Sequence, residues 1–303
     1  IASLELSLRK SKERKNKTWG TIKQIFDNRL KSNSQRTSTS IIILEFFQDF
    51  HFLDSEWLEI KLKDILKSSW ELAMKTLLSN GGVLYKFLYD ILKNGGHYAS
   101  AINYNFESWS QKEHFISHLL LGYDADFEEF SDADSLLIQL IREGNTESIS
   151  IIIKTVTRLS EHSNFKIEKV KLLWKKLIEL EKSSSDLISW INLFPEIDAD
   201  LLDLVVSSIS NNDNTGIIYD IKLPTLKTSA QKSPVITSEF LYVITKNIGY
   251  WDWEKKDGDL YQILETLYKK KQTDKANLIC NLYLQAGYHF LRPLYEKYNQ
   301  PQS

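Results

Sequence analysis

Leu58-Glu-Ile-Lys-Leu62-Lys-Asp-Ile65-Leu66-Lys-Ser-Ser-Trp70-Glu-Leu-Ala-Met74-Lys-Thr-Leu77-Leu78 is the stretch on which the fold turns. Its apolar residues fall at offsets 0, 4, 7 and 8 from Leu58, and the same offsets recur from Trp70. A period near 3.6 lines one face of a helix, whereas a half-buried strand alternates every second residue. Two amphipathic helices are therefore expected here. Leu84, Phe87, Leu88, Ile91 and Leu92 continue the pattern, bracketed by Asn-Gly-Gly at Asn80 and Asn94, whose glycines suit left-handed helix caps.

Further along, the stripe returns in Ile149, Ile152, Ile153, Val156, then in Val170, Leu173, Trp174, Leu177, Ile178, and in Leu202, Val205, Val206, Ile209. Leu260, Ile263, Leu264, Leu267, then Ile279, Leu282, Tyr283, Ala286, and finally Leu291, Leu294, Tyr295, Tyr298 close the series. Ser110 three residues before Glu113, and Ser131 three before Asp134, read as capping signals. Only 11 glycines and 5 prolines punctuate the 303 residues. Together these features predict an all-α protein of roughly fifteen helices with short turns. Helices of similar length joined in this way stack as antiparallel hairpins in an α-solenoid, although no strict sequence repeat is visible.

Two stretches interrupt the pattern. Residues 1–40 read as a basic N-terminal helix followed by a serine- and threonine-rich linker, and residues 210–236, with two prolines and a strand-like run over 216–223, read as an irregular linker or insertion. The main boundary is placed in the latter, between a helical repeat region over 41–209 and a C-terminal helical region over 237–303. The chain starts with Ile1 rather than methionine, which fits a piece of a longer protein.

Composition narrows the function. With 42% apolar and 26% charged residues, the chain can bury a sizeable core. Its net charge of −2 gives no whole-molecule attraction for nucleic acid or an anionic membrane. A single cysteine, Cys280, permits no intrachain disulfide and fits a reducing compartment, so a cytoplasmic location is expected. Flanked by Ile279 and Asn281 with no basic neighbour, it reads as a buried, inert thiol. No apolar run is long enough for a membrane span.

The usual motifs of catalysis are missing. Neither the phosphate-cradling G-x-x-x-x-G-K-[ST] nor G-x-G-x-x-G nor G-x-S-x-G occurs, so the chain is read as no enzyme, and no cofactor or metal is called for. His114 and His118 share a helix face, but two imidazoles alone do not make a zinc site, and they read as a polar helix edge. The acidic run Asp124, Asp126, Glu128, Glu129, Asp132, Asp134 lacks the glycine and terminal glutamate of a calcium loop and reads as a solvated face. One alternative remains. Asp213, Asp220 and Lys222 have the residue types of a magnesium-dependent nuclease, in which two carboxylates hold the ion and a lysine serves the attacking water. The ten lysines and arginines of the first 40 residues, a local charge of +7, point to a nucleic-acid-binding subunit as a further alternative. Tyr250-Trp251-Asp252-Trp253 falls between helices, where aromatics either fold back into the core or face a partner. Tyr250, Trp251, Trp253 and Tyr123 are the candidate partner contacts, because desolvated tyrosine and tryptophan dominate interface energetics.

A set of short landmarks adds a resemblance. Gly-His97-Tyr98-Ala-Ser-Ala-Ile102, Leu-Leu-Leu-Gly-Tyr123, Lys-Leu-Leu-Trp174-Lys-Lys-Leu, Trp190 with Phe194-Pro195, and the closing run from Ala276 through Gly287 to Pro293 are similar to the C-terminal helical region of large bacterial STAND NTPases. The likeness covers roughly residues 75–300. It implies a sensor array of the TPR or HEAT kind, in antiviral defence, that recognises a folded phage protein such as a terminase or portal subunit. Target binding would then release an ATPase module of the same polypeptide and an effector beyond it. Lys175 and Lys176 depart from the family's glutamate-x-arginine pattern, and Leu120-Leu121 from its tyrosine-tryptophan. The resemblance carries no catalytic residue into this region.

Overall fold

A computed structural model describes residues 12–79, 85–128, 130, 135–162, 165–182, 185–210, 221–250 and 258–299. Among them the chain forms seventeen α-helices and one 3-10 helix, with no strand. The protein is all-α. No described helix is long and apolar enough to cross a membrane.

The chain divides into two compact units, Ile1–Ser131 and Asp132–Ser303. This division cuts the repeat region expected over 41–209 and does not fall in residues 210–236. The reason lies in the prolines. Pro224 and Pro234 stand in the first turns of their helices, where a missing N–H costs nothing and the fixed φ favours helix entry. They start helices instead of separating domains. The part of the strand-like run up to residue 220 lies outside the described residues. The serine- and threonine-rich stretch is also shorter as a connection than its composition suggests. Thr39 donates its hydroxyl to the Gln35 carbonyl at 2.8 Å, so the hydroxyl is satisfied within a helix.

In the first unit the helices are α1 (Lys12–Lys31), α2 (Arg36–Glu45), α3 (Phe47–Leu53), α4 (Ser55–Ser68), α5 (Trp70–Ser79), α6 (Lys86–Asn94), α7 (His97–Ile102) and α8 (Trp109–Asp124). Leu58, Leu62, Ile65 and Leu66 of α4 are all buried, and so are Met74, Leu77 and Leu78 of α5, as the stripe requires. Gly96 ends the α6 region in the left-handed conformation, at φ 69°, which glycine adopts without steric cost. The start of α8 differs from the expected cap: Ser108, not Ser110, accepts from the Gln111 N–H. Helix α2 packs on its chain neighbours and on α5, and α5 packs in turn on α8. Asp54 joins α1 to the start of α4. Its carboxylate accepts from Trp19 Nε1 at 3.1 Å, from Lys23 Nζ at 2.8 Å and from the Trp57 N–H at 3.0 Å. Further along both helices, Asp27 accepts from Trp57 Nε1 at 3.0 Å and pairs with Lys61 at 2.9 Å, so α1 and α4 run in the same direction.

In the second unit the helices are α9 (Leu136–Glu143), α10 (Thr146–His162), α11 (Ile167–Glu179), the 3-10 segment Ser185–Leu193, α12 (Ala199–Ser210), α13 (Leu223–Lys232), α14 (Pro234–Asn247), α15 (Asp259–Lys269), α16 (Thr273–Gln285) and α17 (Arg292–Asn299). Packing follows one rule over most of this length. Helix α10 packs on the 3-10 segment, α11 on α12, α12 on α14, α13 on α15, α14 on α16 and α15 on α17. Each of these six helices thus rests on the next element but one along the chain. Four tertiary hydrogen bonds join partners 34 to 37 residues apart, and others span 22 to 38 residues. Trp174 Nε1 donates to Ser208 Oγ, 34 residues on, at 2.9 Å. Trp190 Nε1 donates to the Ile153 carbonyl, 37 residues back, at 3.1 Å. Gln231 Nε2 donates to Thr266 Oγ1, 35 residues on, at 3.4 Å. Lys227 also reaches Gln262, 35 residues on, so α13 and α15 run parallel. In the first unit, Trp19–Asp54 and Lys93–Glu128 are separated by the same 35 residues.

Candidate functional site

Two of the four aromatic residues singled out for partner contact lie in the described structure, and neither stands free of the protein. Tyr123 is a correction. It is 2% exposed, with its ring centroid 4.4 Å from that of Phe130, because it ends an α8 face that also buries Phe115, Ile116, Leu119 and Leu120. A buried ring fills core volume and presents no surface. Tyr250 folds back, its ring 4.9 Å from Tyr283 in an edge-on arrangement and 5.5 Å from Tyr288. Trp251 and Trp253 lie outside the described residues.

His114 and His118 do share one face of α8, but that face points into a buried polar cluster. His118 is 6% exposed, and its Nδ1 shares a 3.4 Å hydrogen bond with the Tyr98 hydroxyl. Burial, with a smaller push from His114, lowers the His118 pKa to about 4, so the ring is neutral near pH 7. Burial and then the Glu128 carboxylate raise both Tyr89 and Tyr98 above the ordinary phenol range, which keeps their hydroxyls protonated. Glu128 departs from the solvated face expected of its acidic run. Its side chain is 1% exposed and pairs with Lys93 at 3.2 Å. The Tyr89 ring lies against Gly122, where an added Cβ would stand 2.2 Å from Tyr89 Cε2. The cluster therefore locks α6, α7 and α8 together. Among the described residues no group of three or more histidines, cysteines, aspartates or glutamates is placed to hold a metal.

Cys280 is buried, and burial pushes its thiol up to about 11. It is protonated near pH 7 and therefore a poor nucleophile. Of the residues read as a nuclease centre, Asp213 and Asp220 lie outside the described residues. Lys222 is described: its backbone N–H donates to Asn192 Oδ1 at 2.7 Å, and its ammonium lies 3.8 Å from Glu161. The side chains of the basic run over 9–17 likewise fall outside.

What the sequence reading missed is a groove of about 700 Å³ between α11 and α12, with Leu172, Ile178 and Leu204 along its wall. Leu172 is 54% exposed and Val206 39% exposed. Leu172 lines the groove, whereas Val206 lies outside its lining. The expected stripe of α12 included Val206, but the helix is rotated so that Leu201, Val205 and Ser208 face inward. Trp174 accounts for the rotation: its buried indole N–H needs an acceptor, and Ser208 supplies it. A signal for Leu172 was present, since it is an apolar residue off the Val170–Leu173–Trp174–Leu177 stripe.

Comparison with protein-family models, with curated proteins and with solved structures returns no match for this chain.

Proposed function

We propose that this chain is a non-catalytic helical-repeat module whose task is recognition of a folded protein. The observation that carries the reading is the next-but-one packing of α10 to α17, in which several hydrogen bonds join partners 34 or 35 residues apart. Tandem hairpins at such a step form a quasi-one-dimensional array, an α-solenoid, whose extended surface spreads a target's contacts over many side chains. The resemblance of the 97–102, 119–123 and 171–177 landmarks to STAND NTPase sensor regions supplies the finer proposal. In it the target is a phage structural protein such as a terminase or portal subunit, and binding releases an ATPase module and effector in the cytoplasm. Such coupling requires the target to bind the released state better than the resting one.

Co-expression of the chain with a panel of phage structural proteins, followed by affinity purification, tests this reading. One folded target should co-purify in stoichiometric amount, and its heat-denatured form should not. Failure across terminase, portal and capsid proteins would remove the sensor reading. Magnesium-dependent cleavage of nucleic acid, lost in Asp220→Ala, would replace it with the nuclease.

A further inference from the structure

We infer that the groove between α11 and α12 seats one amphipathic helix of the partner, with lysine or arginine flanking its apolar edge. This rests on the recognition reading and names the chemistry of the contact.

The groove has the shape for it. Two helices that run side by side with Leu172, Ile178 and Leu204 between them make an open apolar trough. Helix α11, at 13 residues, gives that trough a length of about 20 Å. A partner helix would lay side chains at i, i+3 or i+4, and i+7 into it. Exposed leucine is ordinary when single, but Leu172 shares this trough with Ile178 and Leu204.

The rim chooses the flanking charge. Glu168, Glu179, Asp200 and Asp203 line the groove with Lys171 and Lys175. Lys171 is already engaged, at 2.6 Å by Asp198 and 3.6 Å by Asp200. Carboxylates are therefore in excess. Helix starts explain some of them, because Asp198 caps the Leu201 N–H at 2.9 Å, and Glu168 and Asp200 sit in first turns, where the dipole favours an anion. Glu179 is held by Lys176 at 3.1 Å, but neither that pair nor a helix start accounts for Asp203, beyond the first turn of α12. A cationic partner edge does.

The test uses the full chain and three synthetic peptides read by fluorescence anisotropy. One has leucines at helical spacing flanked by lysines, the second scrambles that order, and the third replaces the lysines with glutamates. The patterned lysine peptide should bind tightest. Leu172→Glu and Asp203→Lys change exposed positions and should each weaken it roughly tenfold, with helicity by circular dichroism unchanged. Asp203→Lys should also improve binding of the glutamate peptide. Equal binding of the scrambled peptide, or affinity indifferent to Leu172→Glu, overturns the groove assignment. The two proposals fail separately. A folded target held equally well by Leu172→Glu discards the groove and keeps recognition, whereas patterned peptide binding with no target found discards recognition and keeps the groove.

Discussion

Gly122 and Gly20 make a matched pair at the scale of single residues. A Cβ at Gly122 would meet the buried Tyr89 ring at 2.2 Å, whereas a Cβ at Gly20 in α1 meets nothing within 4 Å. Gly122→Ala should therefore destabilise the fold by about 1–3 kcal/mol, since a packed aromatic ring has nowhere to go. Gly20→Ala should stabilise it by up to about 1 kcal/mol through helix propensity. Urea midpoints of the two variants, read by circular dichroism, check both signs. His118 sets a pH dependence. Its folded pKa, about 4, lies below the ordinary histidine value, so the unfolded chain binds a proton that the folded chain refuses. The stability is complete above pH ~6.5 and is lost as pH falls from there towards about 4, by at most roughly 3 kcal/mol. Asp27 and Asp54 act in a lower window. Against the opposing effect of burial, hydrogen bonds from lysine and tryptophan neighbours hold both carboxyls below their usual value. Their contribution is present above the unfolded carboxyl value, near pH ~4, and is lost as pH drops further. Unfolding at stepped pH should give a flatter curve between the two histidine values for His118→Gln than for the wild type. An identical slope would show that another group controls that window.

At the scale of elements, Asp54 concentrates three jobs in one carboxylate: it caps α4, accepts from the Trp19 indole and pairs with Lys23. Asp54→Ala should cost about 2–3 kcal/mol, more than an ordinary cap, because the indole N–H is left without its acceptor. Asp54→Asn should recover part of that loss by keeping the cap. Thermal unfolding of the two variants measures the difference. Much of this level was readable from side-chain order alone. Leu260, Ile263, Leu264 and Leu267 of α15 were expected to face inward, and all four are fully buried. Two kinds of error share a cause. Periodicity weighs apolar residues and is blind to where a buried N–H must find an acceptor, so the rotation of α12 towards Trp174 was not legible. It also treats proline as an interruption, although Pro224 and Pro234 open α13 and α14.

Over the whole molecule the helical class was legible because stripes recur from residue 58 to 298. The candidate surface was not, since an aromatic side chain in a sequence carries no mark of which way it faces. Tyr123 went to the core, while the groove between α11 and α12 is walled by aliphatic residues, Leu172, Ile178 and Leu204. The next-but-one packing of the second unit was not legible as sequence identity, because packed helices need matching faces and not matching residues. Trp174 reaches Ser208, 34 residues on, and Gln231 reaches Thr266, 35 residues on, with different donor side chains.

That packing is tested most directly by crosslinking α13 to α15. Cysteines are placed at 227 and 262, and in a second protein at 231 and 266, and treated with a short bismaleimide. Buried Cys280, whose thiol is pushed up to about 11, should stay unmodified. The parallel pairing of Lys227 with Gln262 and of Gln231 with Thr266 requires both pairs to close rapidly. The crossed pairs, 227 with 266 and 231 with 262, are displaced by one turn, about 6 Å, and should close slowly. Faster closure of the crossed pairs, or none of any pair, would contradict the stacked-hairpin account.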